Sequence, residues 1–501
     1  MPAKSAKPCI QPTAQLTLGL RPKCGQPEID LKATGCDSVD INGRGVTKTA
    51  SLYLSERLPT ARSADVSRSY ELELNLGAHR IEGWAAPASD TLWPSLSQRN
   101  NPMDYLLEDL TVIDAATFLA GPGAATILGD FGANVIKIEP PSGDTYRTLV
   151  GRHPVPYHWL LTSRNKRSLA IDLTQEAGQD VIHKLIGGAD VMTTNFLPAQ
   201  LERYRLEYER VKALNPRLVY AHISGYGLEG PDVEKRAFDI TAWWARTGLM
   251  EFIRDPGQRP LQSAPGMGDH STAVAMFGSI MTGLYRRERT GEGSYVSTSL
   301  AATGTWANGM ALQGVIAGND LGKYRQERDW IDPFMASYCC KDDRWIVLAS
   351  MVPMKEWPKI CAALGHPEWV DDERFASFKA IREHRNELVE LLSAAIGAIT
   401  LEELKATFDE HGVTWGPVQP MGEVIHDPQL RAAGIVVETG DEDPAYPLTI
   451  ASPINVREAP KREPRRAPEI GQDSVAILTE NGFADDEIRN LVSGGVVVTP
   501  D

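Results

Sequence analysis

From about residue 106 onward, the apolar positions of the chain follow two periods in turn. Short apolar runs such as "LTVIDAA" (110–116), "NVIKIE" (134–139), "SLAIDL" (168–173), "VMTTNF" (191–196) and "LVYAHISGYG" (218–227) predict strands. Between them lie segments with helical spacing. "GPGAATILGDFG" (121–132) ends at a glycine, a common helix stop, and 177–187 follows the same pattern. Strands alternating with helices predict a parallel sheet covered on both faces. Further on, "RWIVLAS" (344–350) predicts a strand. The runs 382–398 and 401–412 predict helices, and 473–483 predicts a final short helix after a stretch rich in proline and charge.

Residues 1–104 have a different texture. They hold short polar stretches, scattered Gly and Pro, and one alternating run, "SYELELNLG" (69–77), that reads as a strand. They carry no chemical motif and read as an appendage or a partly disordered arm. The expected organisation is this extension (1–104), a first part of a large domain (105–310), a linker with a small domain (311–407), and a second part of the large domain with the tail (408–501). A chain of 501 residues is too long for one simple core, which supports more than one domain.

Composition narrows the function classes. Hydrophobic residues make up 42% and charged residues 23%, the balance of an ordinary globular protein. A formal net charge of −15 argues against a general nucleic-acid binder but leaves room for a local basic pocket. The sequence holds no apolar run of about 18 residues, so no membrane partner is expected. Six cysteines in a chain of this length make no disulfide framework, and adjacent Cys339 and Cys340 have no zinc-site spacing, so no metal is expected. The expected setting is cytoplasmic. A mitochondrial one is the alternative, because the first 27 residues carry lysine and arginine but no acid.

One segment stands out chemically. In "GMGDHST", Asp269 lies between Gly266, Gly268 and His270, and Ala273, Met276, Phe277, Ile280 and Leu284 follow at helical spacing. Spacing alone allows two readings. Asp269 is either a helix cap or a carboxylate nucleophile that the helix N-terminus keeps ionised, with glycines leaving room for a substrate carbonyl. Residues 110–139 also invite a dinucleotide reading, with Gly121-Pro122-Gly123 and a terminal Glu139. Yet four residues separate strand from glycines and the third glycine position is Thr126, so the glycines read better as sites of close helix–sheet approach.

Taken in order, "LAGPGAATILGDFGANVIKIEPPSGDTYR", "SRNKRSLAIDL", "ADVMTTNF", "NPRLVYAHISGYG", "RAFDITAWWARTGLM", "GMGDHST" and "RRERTGEGSYVSTSL" resemble the class III CoA-transferases, the group of formyl-CoA transferase and carnitine CoA-transferase. "GHPEWVDDERF" and "HGVTWGPVQPMGEVIHDPQLRAAG" extend the resemblance to about residue 483. It implies an α/β fold with a Rossmann-like large domain, a smaller α+β domain and an interlocked homodimer. It also implies an acyl-CoA and a small carboxylic acid as partners, with coenzyme A the carried group. Asp269 falls on the family nucleophile, which forms first an acyl anhydride and then an aspartyl-CoA thioester. Asn195, Arg203 and Arg236 fall on CoA-contacting positions, and Phe118 and Leu119 on the loop lining the CoA channel. Arg167, in a basic cluster with Arg164 and Lys166, joins them as a candidate phosphate ligand. Gly268 and His270 flank the nucleophile, His270 as a local hydrogen-bonding residue.

Two positions separate related chemistries. A racemase of the same fold carries a proton-transferring histidine in a "GHD"-type segment, where this chain has Ala237-Phe238-Asp239. Phe238 moves no proton, which favours CoA transfer over an α-methylacyl-CoA racemase-like isomerase. Asp239 is either a site acid that positions the nucleophile or a helix N-cap. The glycine-rich active-site loop of formyl-CoA transferase has no counterpart in "RQERDWIDPFMASYCCKDD", which points to an acid other than formate or oxalate. Trp243, Trp244 and Trp330 are candidates for the wall of an acyl pocket or for plain core. A catalytically silent CoA-binding protein is the alternative outside enzymes.

Overall fold

The computed structural model describes residues 104–151, 153–327 and 331–500. The expected strand at 69–77 and Trp330 lie outside the described residues.

Six parallel strands build the centre: β1 (Thr111–Ala115), β2 (Asn134–Glu139), β3 (Lys166–Ile171), β4 (Val191–Thr194), β5 (Val219–Ser224) and β6 (Ser294–Ser299). Three short strands, β7 (Ser337–Cys339), β8 (Trp345–Leu348) and β9 (Trp415–Pro417), make a separate antiparallel sheet, and β10 (Val436–Glu438) pairs with β11 (Leu448–Ile450). β12 (Val497–Val498) returns to the centre and pairs antiparallel with β3. The large sheet runs β12-β3-β2-β1-β4-β5-β6. Its order reverses between β1 and β4, and the crevice at the carboxyl ends of two such strands is where open α/β sheets bind ligands.

Alternation along the strands explains the two covered faces. On β1, Ile113 points into one core with Ile136, Leu169 and Met192, closed by Ile182, Leu185 and Ile186 of α3 (Glu176–Gly187). Val112 points the other way, into a core with Val135, Val191 and Val219. Leu128 of α1 (Ala120–Asp130) and Met276 and Ile280 of α7 (Met267–Thr290) close that face. The other helices of the large sheet region are α2 (Tyr157–Ser163), α4 (Pro198–Arg203), α5 (Tyr208–Leu214), α6 (Leu249–Phe252), α8 (Leu300–Ala307) and α9 (Gly309–Ile316).

The glycines of the dinucleotide-like stretch serve packing. A Cβ on Gly121 would lie 2.3 Å from the Ala116 Cβ, and one on Gly123 would lie 3.0 Å from the Ala273 Cβ. They let α1 sit tight on β1 and on α7. A third core, from Phe334 to Val413, packs behind β7, β8 and β9, so the small sheet region continues to Pro417, past the expected change of domain at 407. The expected helix at 382–398 is broken into Phe378–Glu383 and Arg385–Ile396, joined at His384. After the helix expected at 473–483 come a further helix, Asp485–Ser493, and β12, neither of them expected from the sequence.

Beneath β1 lies a buried network of charges. Lys166 Nζ pairs with Asp114 at 2.8 Å, and Lys137 Nζ pairs with Asp144 at 3.0 Å, all four side chains fully buried. Arg147 holds Glu139 at 2.7 Å beside them. Burial alone would raise the Asp114 carboxyl, but Lys166 and Lys137 outweigh it and hold it below its ordinary value. Burial would likewise lower Lys137, yet Asp144, Asp114 and Glu139 hold its ammonium above the usual lysine range. Removing one partner of such a pair strands the other charge. Lys137→Met is expected to cost about 3–5 kcal/mol of stability, read from the denaturant midpoint.

Candidate active site

The loop after β1 is the first wall of a cleft of about 860 Å³. The charge network shapes it. Lys137 Nζ donates to the Ala116 carbonyl, Lys166 Nζ to the Pro122 carbonyl at 2.7 Å, and the Phe118 N–H reaches Asp144 Oδ1 at 3.5 Å. Phe118 is held at φ 65°, a left-handed conformation that a bulky side chain adopts only under surrounding constraint. Across the switch point, Asn195 at the end of β4 clamps the same loop. Its Oδ1 accepts from the Thr117 N–H at 2.9 Å and its Nδ2 donates to the Thr117 carbonyl at 2.8 Å. Asn195 therefore lines the cleft with its amide already occupied, as a stitch between two loops.

The cleft brings together Phe118, Leu119, Asn195, Arg203, Arg236, Phe238 and Asp269. Arg203 and Arg236 are exposed, and neither forms an ion pair among the described residues. With Lys235 they give an acidic protein a local cationic edge fit for phosphates. Arg167 does not join them: its guanidinium holds Glu480 at 2.6 Å. Arg164 is likewise spent on Asp130 and Lys166 on Asp114, so that basic cluster is internal structure. Two helix N-termini face the cleft, α1 at Ala120 and α7 at Asp269, and their free N–H groups favour negative charge.

Asp269 is not a cap. Helix α7 starts at Met267 after Gly266 at φ 74°, and Asp269 sits in the first turn with no capping hydrogen bond. Gly268 exists for closeness, since a Cβ there would lie 2.6 Å from Cγ of the Trp243 ring. The Asp269 carboxyl is pushed up to about 7, chiefly by burial and further by the Asp239 charge. Asp239 precedes a π-helical stretch, Ile240–Ala245, and makes no cap either. It is 7% exposed, and its Oδ2 has no hydrogen-bond partner. Two carboxyl groups thus crowd one site, the arrangement that raises a carboxyl pKa.

Aromatic rings floor the site. Phe118 packs on Phe238 at 5.4 Å and on Tyr146 at 5.7 Å. Burial, then the Asp269 charge, raises the Tyr146 phenol above its ordinary range and keeps it a neutral donor. Trp243 and Trp244 are buried with Ala242 and Leu300 and form core. His270 points away from the cleft, toward a second cavity. Tyr146 has no sequence signal that marks it for the site, and neither has His222. His222 is buried under the cleft, its Nδ1 accepting from the Tyr295 hydroxyl at 2.8 Å and its Nε2–H facing the Phe196 carbonyl at 3.0 Å. No single-sequence spacing signals such a pin.

The model of CoA-transferase family III matches residues 107–474. The chain belongs to CoA-transferase family III. It is 30% identical over 398 residues to (R)-2-hydroxy-4-methylpentanoate CoA-transferase of Clostridioides difficile, covering 78% of this chain and 99% of that protein. It is 29% identical to cinnamoyl-CoA:phenyllactate CoA-transferase of Clostridium sporogenes, over 77% of this chain and 96% of that protein. Human succinyl-CoA:glutarate CoA-transferase is 30% identical over 81% of this chain and 93% of its own. Among solved structures, a CAIB/BAIF family protein from Brucella suis superposes with a TM-score of 0.67 at 28% identity, over 76% of this chain and all of that one. This transferase is therefore an α/β enzyme with a seven-stranded, mostly parallel sheet. Among the described residues no helix is long and apolar enough to cross a membrane, and no cluster of metal-binding side chains occurs.

Arg203→Gln is expected to raise KM for an acyl-CoA about tenfold and leave KM for the free acid unchanged, as measured by steady-state kinetics.

Proposed function

We propose that this transferase moves CoA from an acyl-CoA to a free carboxylate through Asp269. The observation that carries the reading is a half-buried carboxyl that caps nothing and stands at the floor of a cation-edged cleft. Asp269 Oδ attacks the thioester carbonyl, the C–S bond breaks, and an acyl-aspartyl anhydride and CoA thiolate result. The thiolate then attacks the Asp269 carbonyl carbon, releasing the donor acid as its carboxylate and leaving an aspartyl-CoA thioester. The acceptor carboxylate attacks that thioester and expels the thiolate. Finally the thiolate attacks the acceptor carbonyl, giving the new acyl-CoA and free Asp269. No net proton is taken up or lost, so no dedicated base is required.

The surroundings fit these steps. The N–H groups at the start of α7 face the oxyanions that form on the Asp269 carbonyl. CoA phosphates bind at Arg203 and Arg236. Phe118 and Phe238 flank the pantetheine arm and exclude water, which would hydrolyse the anhydride. Phe238 offers no proton relay, which separates this site from racemisation. Trp306, Met310 and Ile316 are 87%, 91% and 77% exposed on α8 and α9, an apolar surface that a second subunit covers in an interlocked homodimer. The relatives carry the names of different acids, and the acceptor here is a small carboxylic acid.

Asp269→Asn is expected to lower exchange by roughly three orders of magnitude or more. Mass spectrometry of the wild type incubated with acyl-CoA should show CoA bound at Asp269, and the Asn variant should show none. Full exchange by that variant ends the reading. Deuterium wash-in at the α-carbon without exchange would favour racemisation.

Acidity gives an independent check. Only the ionised carboxylate attacks, and its pKa lies at about 7, so kcat/KM for the acyl-CoA is expected to rise with pH through that value and level above it. Asp239→Asn removes the like charge and should move this acid limb to lower pH. A limb that stays in place would remove Asp239 from the site.

A further inference from the structure

Behind the first turn of α7 lies a second cavity, of about 610 Å³, the size of a small-ligand site. Its walls are largely aliphatic: Ile127 of α1, Leu161, Val274 of α7, and Ile435 and Ile450 near the β10–β11 pair. Its polar side chains are Thr126, Thr162, Arg164, His270, Ser452 and Asn455; the two threonines hydrogen-bond to backbone carbonyls, and Asn455 is exposed. Ser452 is 7% exposed, and its buried Oγ has no hydrogen-bond partner. Arg164 offers no free charge, because Asp130 takes its Nε and Nη2 at 3.0 and 2.7 Å. His270 lines the cavity beside Asp269 in sequence.

His270 connects the two spaces. Besides burial and Arg164, the groups that act on it electrostatically are Asp239 and His158. Asp239 also acts on Asp269, and His158 packs on Tyr146 at 5.7 Å. Leu119 stands in the partition: Cβ atoms built on Gly266 and on Gly123 would lie 3.0 and 3.9 Å from its methyl groups. One face of this turn thus meets the CoA cleft, and the other meets an aliphatic chamber.

We propose that this chamber is the acyl seat, holding the side chain of an apolar monocarboxylic acid. The carboxylate lies at His270, turned toward the aspartyl-CoA thioester on Asp269. The inference rests on Asp269 as CoA carrier. His270 is exposed on one side, yet the protein packed around its ring, with Arg164 next, lowers its proton affinity, so a neutral imidazole donates one N–H and leaves the carboxylate nucleophilic. A dicarboxylate fits poorly. Its second charge would meet no free cation, because Arg164 is already paired and Ser452 and Asn455 are neutral, and an unpaired buried charge is strongly disfavoured. The free Ser452 Oγ suits a hydroxyl or other single polar group on the acid.

The test uses the full-length protein, first loaded with CoA from acetyl-CoA and then mixed with single acids. Discharge of the loaded enzyme is followed by mass spectrometry with acetate, 3-methylbutanoate, 3-phenylpropanoate, succinate and glutarate. The two apolar acids are expected to discharge it about tenfold or more faster than the dicarboxylates. Val274→Trp, which fills the chamber, should raise the half-saturating concentration of both apolar acids about tenfold or more and change that of acetate little. Loading from acetyl-CoA reports that the variant is folded. Should it fail to fold, Ile435→Trp narrows the opposite wall from a more exposed position and carries the same expectation. Dicarboxylates discharging the wild type as fast as apolar acids, or unchanged selectivity in a folded filling variant, would overturn the seat. If wild-type Asp269 never takes up CoA, the mechanism of the preceding subsection fails instead. The seat is then judged by titration calorimetry of 3-phenylpropanoate on wild type and the filling variant, and equal affinities would overturn it.

Discussion

Two lysines buried beneath β1 set the terms for everything above them. Lys137 and Lys166 have no route to water, so they must be paired within the fold. Their partners, Asp114 and Asp144, come from a strand and from the turn after β2. Their remaining N–H bonds go to the carbonyls of Ala116 and Pro122, on either side of the half-buried Thr117 and Phe118. The loop is therefore fixed by its ends from below. Phe118 can then be kept in a backbone region that its side chain would otherwise avoid, facing the cleft. A buried ion pair is a weak source of stability, but a strong source of position when both partners anchor the same loop.

The architecture was legible in the sequence because strand and helix periods differ and the strands are short and apolar. β2 runs over the expected residues 134–139, and β1, β3, β4 and β5 shift by only a few residues at their ends. Less legible were features that depend on distant partners. β12 has two residues and no period of its own, and it exists because β3 offers an edge. His384 breaks a helix whose apolar rhythm continues across it. Pro417 joins the small sheet because β8 is there to receive it.

The site shows the same division. Residues on the loops after β1 and β4, with Asp269, could be found because they stand in short segments of fixed order, and the topology then gathers them at one switch point. Charge alone misled: Arg164, Lys166 and Arg167 are adjacent in sequence, yet each faces its own carboxylate, and those carboxylates lie 34, 52 and 313 positions away. Burial alone was invisible. Nothing in "GDTYR" tells that Tyr146 will pack on Phe118 within reach of the Asp269 charge, and nothing around His222 tells that it will hold the Phe196 carbonyl.

The Thr117–Asn195 clamp has a mechanical side. Two hydrogen bonds in opposite directions tie the loop after β1 to the loop after β4, so the two walls of the cleft that arise from the sheet are bound to each other. The third wall, the stretch from Lys235 to Phe238, meets them through side chains instead. There Phe238 is 54% exposed and is held against Phe118 by ring contact. The cleft thus has a stitched frame on two sides and a ring contact on the third.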